Sequence, residues 1–192
     1  GGGPRERALK AEPLFRLGRE GEAWGVWREG LEGVEDYLAF VERLLRLGRR
    51  EEALRYAEEA VAWFGKDPRL LPLLDLLVAH RGGVEDHRAR FRLRPNLEDY
   101  LALKAKLGRT FAEERPRLLR QVQDPALLAR IHLLEEDWKA LDRLLKRASP
   151  EVYPALAAAL EERLPQEAAR LYLEAAKARV EAGGRAAYRE AA

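Results

Sequence analysis

The 192-residue sequence contains no cysteine and no methionine, and it holds only one serine (Ser149), one threonine (Thr110) and one asparagine (Asn96). Without cysteine there is no thiolate nucleophile, no thiolate metal ligand and no disulfide. A single serine and a single threonine leave hydroxyl-based nucleophilic catalysis almost nothing to work with. β-Branched residues are scarce, and no stretch alternates apolar with polar residues as a half-buried strand would. No apolar run approaches the ~20 residues that cross a bilayer. The longest, from Leu70 to Ala79, is interrupted by Pro72 and Asp75. The chain opens on Gly1-Gly2-Gly3-Pro4 followed by charges, which is no signal peptide. These absences predict a soluble, cytoplasmic protein.

What is present is almost entirely helix-forming. Leu, Ala, Arg and Glu account for 118 of the 192 residues. Thirty-five Lys and Arg face 33 Asp and Glu, a net charge of +2, which is not the basic excess of a dedicated nucleic-acid binder. Twenty-eight of the basic residues are Arg, and the thermolabile residues are nearly gone, a composition expected of a thermophile.

Amphipathic segments separated by Gly, Pro or Asp predict helices over 5–17, 20–31, 34–47, 50–64, 68–80, 84–93, 97–107, 111–121, 124–134, 137–147, 151–163, 165–182 and 184–192. Links this short force neighbouring helices into antiparallel hairpins. Leu17-Gly18-Arg19 is followed by Ala23 and Trp27, and about thirty residues later Leu47-Gly48-Arg49 is followed by Ala53 and Ala57. Leu107-Gly108-Arg109 continues the series, and Ala140 and Ala168 hold the same small-residue position in later hairpins. The glycine suits a left-handed helix cap and the alanine lets two backbones approach. A helix-pair period near thirty residues marks an α-solenoid.

The segment Gly48-Arg49-Arg50-Glu51-Glu52-Ala53-Leu54, with Ala57, Ala60 and Asp67-Pro68, resembles the centre of a tetratricopeptide repeat. Its spacings drift from that pattern, and of the pattern's own aromatics the first helix offers only Tyr37. A second resemblance spans roughly residues 35–192. The turn at Arg81-Gly82-Gly83, the helix ending at Arg94-Pro95 and the run Leu97-Glu98-Asp99-Tyr100-Leu101 are similar to the helical C-terminal region of bacterial SWIM zinc finger proteins. So are Asp137-Trp138 with Ala140, Leu164-Pro165-Gln166-Glu167-Ala168-Ala169 with Leu171-Tyr172, and Gly184-Arg185-Ala186-Ala187-Tyr188. The zinc motif of that family needs cysteines this chain lacks, so the resemblance implies a helical interaction module without the metal.

Candidate sites are few. His80 and His87 straddle Gly82-Gly83, His132 reads as a core-edge residue, and none has metal-ligand partners at fixed spacing. The many Glu pairs fall at helix starts or on polar faces, where they complement the helix dipole or pair with Arg. Gly82-Gly83 and Gly183-Gly184 read as turns. The sequence therefore nominates no catalytic residue, metal site or cofactor. The arginines Arg88, Arg90, Arg92 and Arg94, with Phe91 among them, are the candidate nucleic-acid contact, against the alternative that they pair with acids on an adjacent hairpin. Tryptophans and tyrosines at helical spacing are expected mostly in the core, and any left exposed would be partner anchors. If the tetratricopeptide register holds, Glu35, Leu38, Glu42, Leu45 and Arg46 face a partner groove and suit a charged, amphipathic ligand.

The reading is thus all-α: a solenoid of about six antiparallel helix hairpins, coiled as a right-handed, tetratricopeptide-like superhelix. Residues 1–4 read as a flexible tail or cloning remnant and 5–192 as one helical-repeat domain, with the uncapped end fitting a piece of a longer protein. The expected function is a non-catalytic protein–protein interaction module or scaffold that holds a partner segment on its concave face. The alternative is a nucleic-acid-associated accessory module using the Arg88–Arg94 stretch. Self-association through the C-terminal end near Tyr188 is compatible with either, and no membrane partner is expected.

Overall fold

The computed structural model describes residues 25–191, and every regular element in that span is helical. Ten α-helices follow a helical turn at 25–28. They are α1 Val34–Arg46, α2 Arg50–Phe64, α3 Leu71–His80, α4 Val84–Leu93, α5 Leu97–Leu107, α6 Phe111–Gln121, α7 Pro125–Leu134, α8 Trp138–Arg147, α9 Tyr153–Leu160 and α10 Pro165–Ala191. One-turn 3-10 helices at Pro68–Leu70, Gly108–Thr110 and Pro150–Val152 lead into α3, α6 and α9. The all-α class is as the composition predicts, and the helices expected between 34 and 163 lie within three residues of their expected ends. The expected helix over 5–17, most of that over 20–31, the Leu17-Gly18-Arg19 turn and Trp24 lie outside the described residues.

Side chains set most of the helix boundaries. Gly33-Val34-Glu35-Asp36 opens α1 and Gly83-Val84-Glu85-Asp86 opens α4. In each, the third-position aspartate accepts from the N–H of the capping glycine, at 2.9 Å for Gly33 and 3.0 Å for Gly83. Asn96 does the converse for α5, its Oδ1 accepting from the Asp99 N–H at 2.8 Å. Asp124 and Asp137 cap α7 and α8 by accepting from the N–H groups of Ala126 and Ala140. At the far end of α1, Gly48 takes a φ of +72°, so that the Arg49 N–H reaches the Leu44 carbonyl and its own N–H that of Leu45. The same closure ends α7 on a residue that is not glycine: Glu136 sits at φ +55°, and the Asp137 N–H reaches the His132 carbonyl at 2.9 Å.

The C-terminal helix departs from expectation. Gly183 and Gly184 were expected to turn the chain between helices over 165–182 and 184–192, but α10 runs through them without a break. Glycine lowers helix propensity by about 1 kcal/mol against alanine, yet it ends a helix only where the chain is also drawn into a left-handed turn. Here alanine, arginine and glutamate flank the pair on both sides, and a Cβ at either glycine would meet open space. Only Ala168, Leu171 and Ala175 of α10 are buried, and residues 179–191 are exposed throughout, about 20 Å of helix.

The chain divides into two compact units, one holding the described residues up to Pro95 with Ala102–Lys106, the other holding Asn96–Leu101 with the residues from Leu107 onward. In the first, α1 packs on α2, α2 on α3 and α3 on α4. Its core is aromatic. Phe40 lies 6.0 Å from Trp27 in a stacked pair and 4.7 Å from Tyr56 edge to face, and Tyr37 meets Phe64 at 5.7 Å. Ala53, Ala57 and Ala60 give α2 the small face that the sequence predicts at a close helix contact. In the second unit α7 packs on both α8 and α9, and α9 on α10. The core there is aliphatic, built from Ala129, Leu133, Leu141, Leu156, Leu160 and Leu171.

Candidate functional site

In the first unit, nearly every charge singled out by the sequence is matched. Arg90 is buried on α4, and its guanidinium donates to Asp75 of α3 at 3.1 Å; Arg94 approaches the same carboxylate at 3.9 Å. Arg88 pairs with Glu85 one turn away. Arg81 donates to Asp86 at 2.6 Å and to Glu58 at 3.0 Å. Burial raises the cost of charging Asp86, but the bonds from Arg81 and the Gly83 N–H outweigh it and hold the carboxyl below its ordinary value. Of the four arginines proposed for nucleic acid, Arg88, Arg90 and Arg94 are thus bound to carboxylates, and Arg92 stands exposed. Phe91 is fully buried among them.

The residues expected to face a partner, Glu35, Leu38, Glu42, Leu45 and Arg46, do form one stripe on α1. Leu38 and Leu45 are half-buried against the core below. The charges of the stripe are tied: Glu42 takes Arg46 at 2.5 Å, and Glu35 takes Arg69 at 3.5 Å. Tyr37 beneath the stripe donates to Glu59 at 3.0 Å, and burial together with that bond pushes its hydroxyl up to about 12.

On the second unit, α8 lies between two grooves. One, of about 530 Å³, is lined by Trp138, Leu141 and Leu145 of α8 with Tyr153, Leu164 and Arg170. Trp138 is 48 % exposed in it. The second is a cleft of about 330 Å³. Arg115 and Leu119 of α6 form one wall, Ala140, Arg143, Leu144 and Arg147 of α8 the other, and His132 and Asp137 line it between them.

A buried network holds the cleft in shape. Tyr100 donates to Glu135 at 2.7 Å, Arg115 donates to the other oxygen of Glu135 at 2.7 Å, and Arg115 also reaches Asp137 at 3.4 Å. Burial and the bond to Glu135 push the Tyr100 hydroxyl well above its usual range. Asp137 is held low, first by the bond from the Ala140 N–H and then, against its partial burial, by His132 and Arg115. His132 is 8 % exposed; burial lowers its pKa, the nearby Asp137 only partly opposing, so the ring is neutral at pH 7. Its Nδ1 has no hydrogen-bond partner among the described residues.

Sequence reasoning placed His132 at the core edge correctly and missed the cleft around it. It also expected most aromatics in the core. Trp27, Tyr37, Tyr56 and Tyr100 are there, but Trp63 and Tyr188 are 74 % and 83 % exposed, and Trp138 and Tyr172 are exposed as well. Trp63 lies in the last turn of α2, beyond its buried residues Ala53, Tyr56, Ala57 and Ala60, and Tyr188 on the exposed stretch of α10. Among the described residues no group of three His, Cys, Asp or Glu is arranged to hold a metal ion, and no helix is long and apolar enough to cross a membrane. No family model, no curated protein and no solved structure matches this chain.

Proposed function

We propose that this chain is a non-catalytic protein–protein interaction module, a tetratricopeptide-like solenoid of helix hairpins akin to the helical region of bacterial SWIM zinc finger proteins, that holds a segment of a partner. The observation that carries the reading is the pair of open grooves flanking α8, one with a half-exposed tryptophan as anchor. Tryptophan and arginine dominate interface energetics when they can be desolvated by a partner. The α1 stripe of Glu35, Leu38, Glu42, Leu45 and Arg46 is a second contact surface on the same reading. A nucleic-acid role for Arg88, Arg90, Arg92 and Arg94 has less support, because three of the four already face carboxylates. Few free cations give weak, salt-sensitive binding to phosphates.

The test is co-precipitation with the whole chain as bait, with and without nuclease, beside an Arg88→Glu/Arg92→Glu variant. Protein partners that survive both nuclease and charge reversal are expected. Loss of every partner under either treatment would overturn the reading in favour of the basic stretch.

A further inference from the structure

Two arginines of the α6–α8 cleft, Arg143 and Arg147, differ from Arg88, Arg90 and Arg94 of the first unit in having charge to spare. Arg115 is fixed by Glu135 and Asp137 and forms a rigid wall. Arg143 and Arg147 have no ion-pair partner among the described residues, whereas Lys146 and Asp142 on the other side of α8 pair with each other at 2.8 Å. Arg143 and Arg147 are four apart on one helix, so their side chains project together, roughly 6 Å apart at Cβ. Ala140 and Leu144 share their face, and Leu119 stands opposite. The surface is therefore a short apolar strip edged by two uncompensated guanidiniums.

From this pattern we infer that the α6–α8 cleft binds an acidic amphipathic helix of a partner protein. Carboxylates one turn apart on that helix pair with Arg143 and Arg147, and its leucine-like side chains seat on Leu119, Ala140 and Leu144. The inference rests on the interaction-module reading and names the chemistry of the partner. A helix laid in a groove uses i, i+3, i+4 and i+7 anchors, the spacing that Ala140, Arg143, Leu144 and Arg147 present. Charge sign selects an acidic ligand. Of the acids near the cleft, Glu135 is held by Arg115 and Tyr100 and Asp137 by Arg115, and a polyphosphate backbone would meet the lining Asp137 without enough free cations in return. His132 lines the cleft, and its buried Nδ1 has no hydrogen-bond partner among the described residues. The backbone is pre-set as well. The left-handed Glu136 sits in the three-residue link, 135–137, between α7 and α8, where the Asp137 N–H bonds the His132 carbonyl.

The experiment pans a displayed library of helical peptides against the whole chain and against an Arg143→Glu/Arg147→Glu variant. Selected peptides are then measured by fluorescence anisotropy. The expected winners on the wild-type chain carry Glu or Asp one turn apart beside Leu, Ile or Phe at helical spacing. They bind the variant at least about tenfold more weakly, while the variant keeps its circular dichroism and melting temperature. Versions with Lys in place of those acids recover binding to the variant. Winners that are neutral or basic, or that bind wild type and variant alike, overturn the acidic-helix cleft and leave the interaction-module reading standing. Enrichment of no peptide on either chain overturns both. A single-stranded oligonucleotide that binds the wild-type chain and competes with the selected peptides also overturns the inference.

Discussion

Arg90 and Arg143 lie on comparable short helices of the two units, and their fates differ. Arg90 is buried and fixed to Asp75, in a unit whose aromatic core of Trp27, Phe40 and Tyr56 fills the space between helices. Arg143 lines an open cleft without a carboxylate, in a unit whose core is aliphatic and whose α8 is left with a groove on either side. Arginine in a helical repeat is thus no indicator of binding until its partners are known. What distinguishes Arg90 from Arg143 is that the charge of one is neutralised internally and that of the other is left for something else.

The comparison can be broken most severely through the cores. Phe40→Ala is expected to cost about 3–5 kcal/mol, because its ring is fully buried between two others. Leu144→Ala, half-buried against the edge of the second core, should cost less, about 1–2 kcal/mol. Denaturant unfolding of the two variants reads the difference, and equal losses would show that the second unit is as tightly sealed as the first. Next in size is Arg90→Ala, which removes a buried ion pair and the packing of its stem. About 1–3 kcal/mol is expected, against changes within about 0.5 kcal/mol for exposed Arg92→Ala.

Two titrations sharpen the contrast. Asp86 is held below its ordinary pKa in the folded state, so its contribution is complete above the unfolded carboxylate value and is lost as pH falls through the folded one. Asp86→Asn should lower the melting temperature at pH 7 and flatten its fall in acid. His132 has its folded pKa lowered by burial, so the unfolded chain takes up the proton first as pH drops below about 6.5. Stability should therefore decline between neutral pH and the folded value, and His132→Gln should remove that part of the slope. A melting profile unchanged by His132→Gln from pH 7 to 5 would contradict the buried, neutral ring. The smallest effect concerns Glu136, whose left-handed backbone suits glycine. Glu136→Gly should raise stability by up to about 1 kcal/mol, less whatever its exposed contact with Arg163 contributes, as read from the melting temperature.

Much of the fold is legible in the sequence because the helix boundaries are written in local chemistry. Gly48 at the end of α1, the prolines at the start of α7 and α10, and the aspartates capping α7 and α8 act on residues within four positions of themselves. Local signals also mislead: Gly183-Gly184 reads as a turn, but nothing draws the chain round there and the helix continues. The openings Gly33–Asp36 and Gly83–Asp86 share one capping geometry that likewise acts within four residues. The cleft was not, since Arg115 of α6 and Arg143 of α8 come together only through packing, and no spacing connects them. The sequence instead draws the eye to Arg88–Arg94, where arginines crowd in number. That they pair with acids on a neighbouring helix is legible in the sequence, but which acid, Asp75 of the preceding helix, is set by packing.

Hydrogen exchange across the full chain, with and without a selected acidic helical peptide, tests the central claim most directly. The account predicts slowed exchange in α6 and α8, over 111–121 and 138–147, with α4 over 84–93 unchanged. Protection centred on α4, or spread equally over both units, would contradict it.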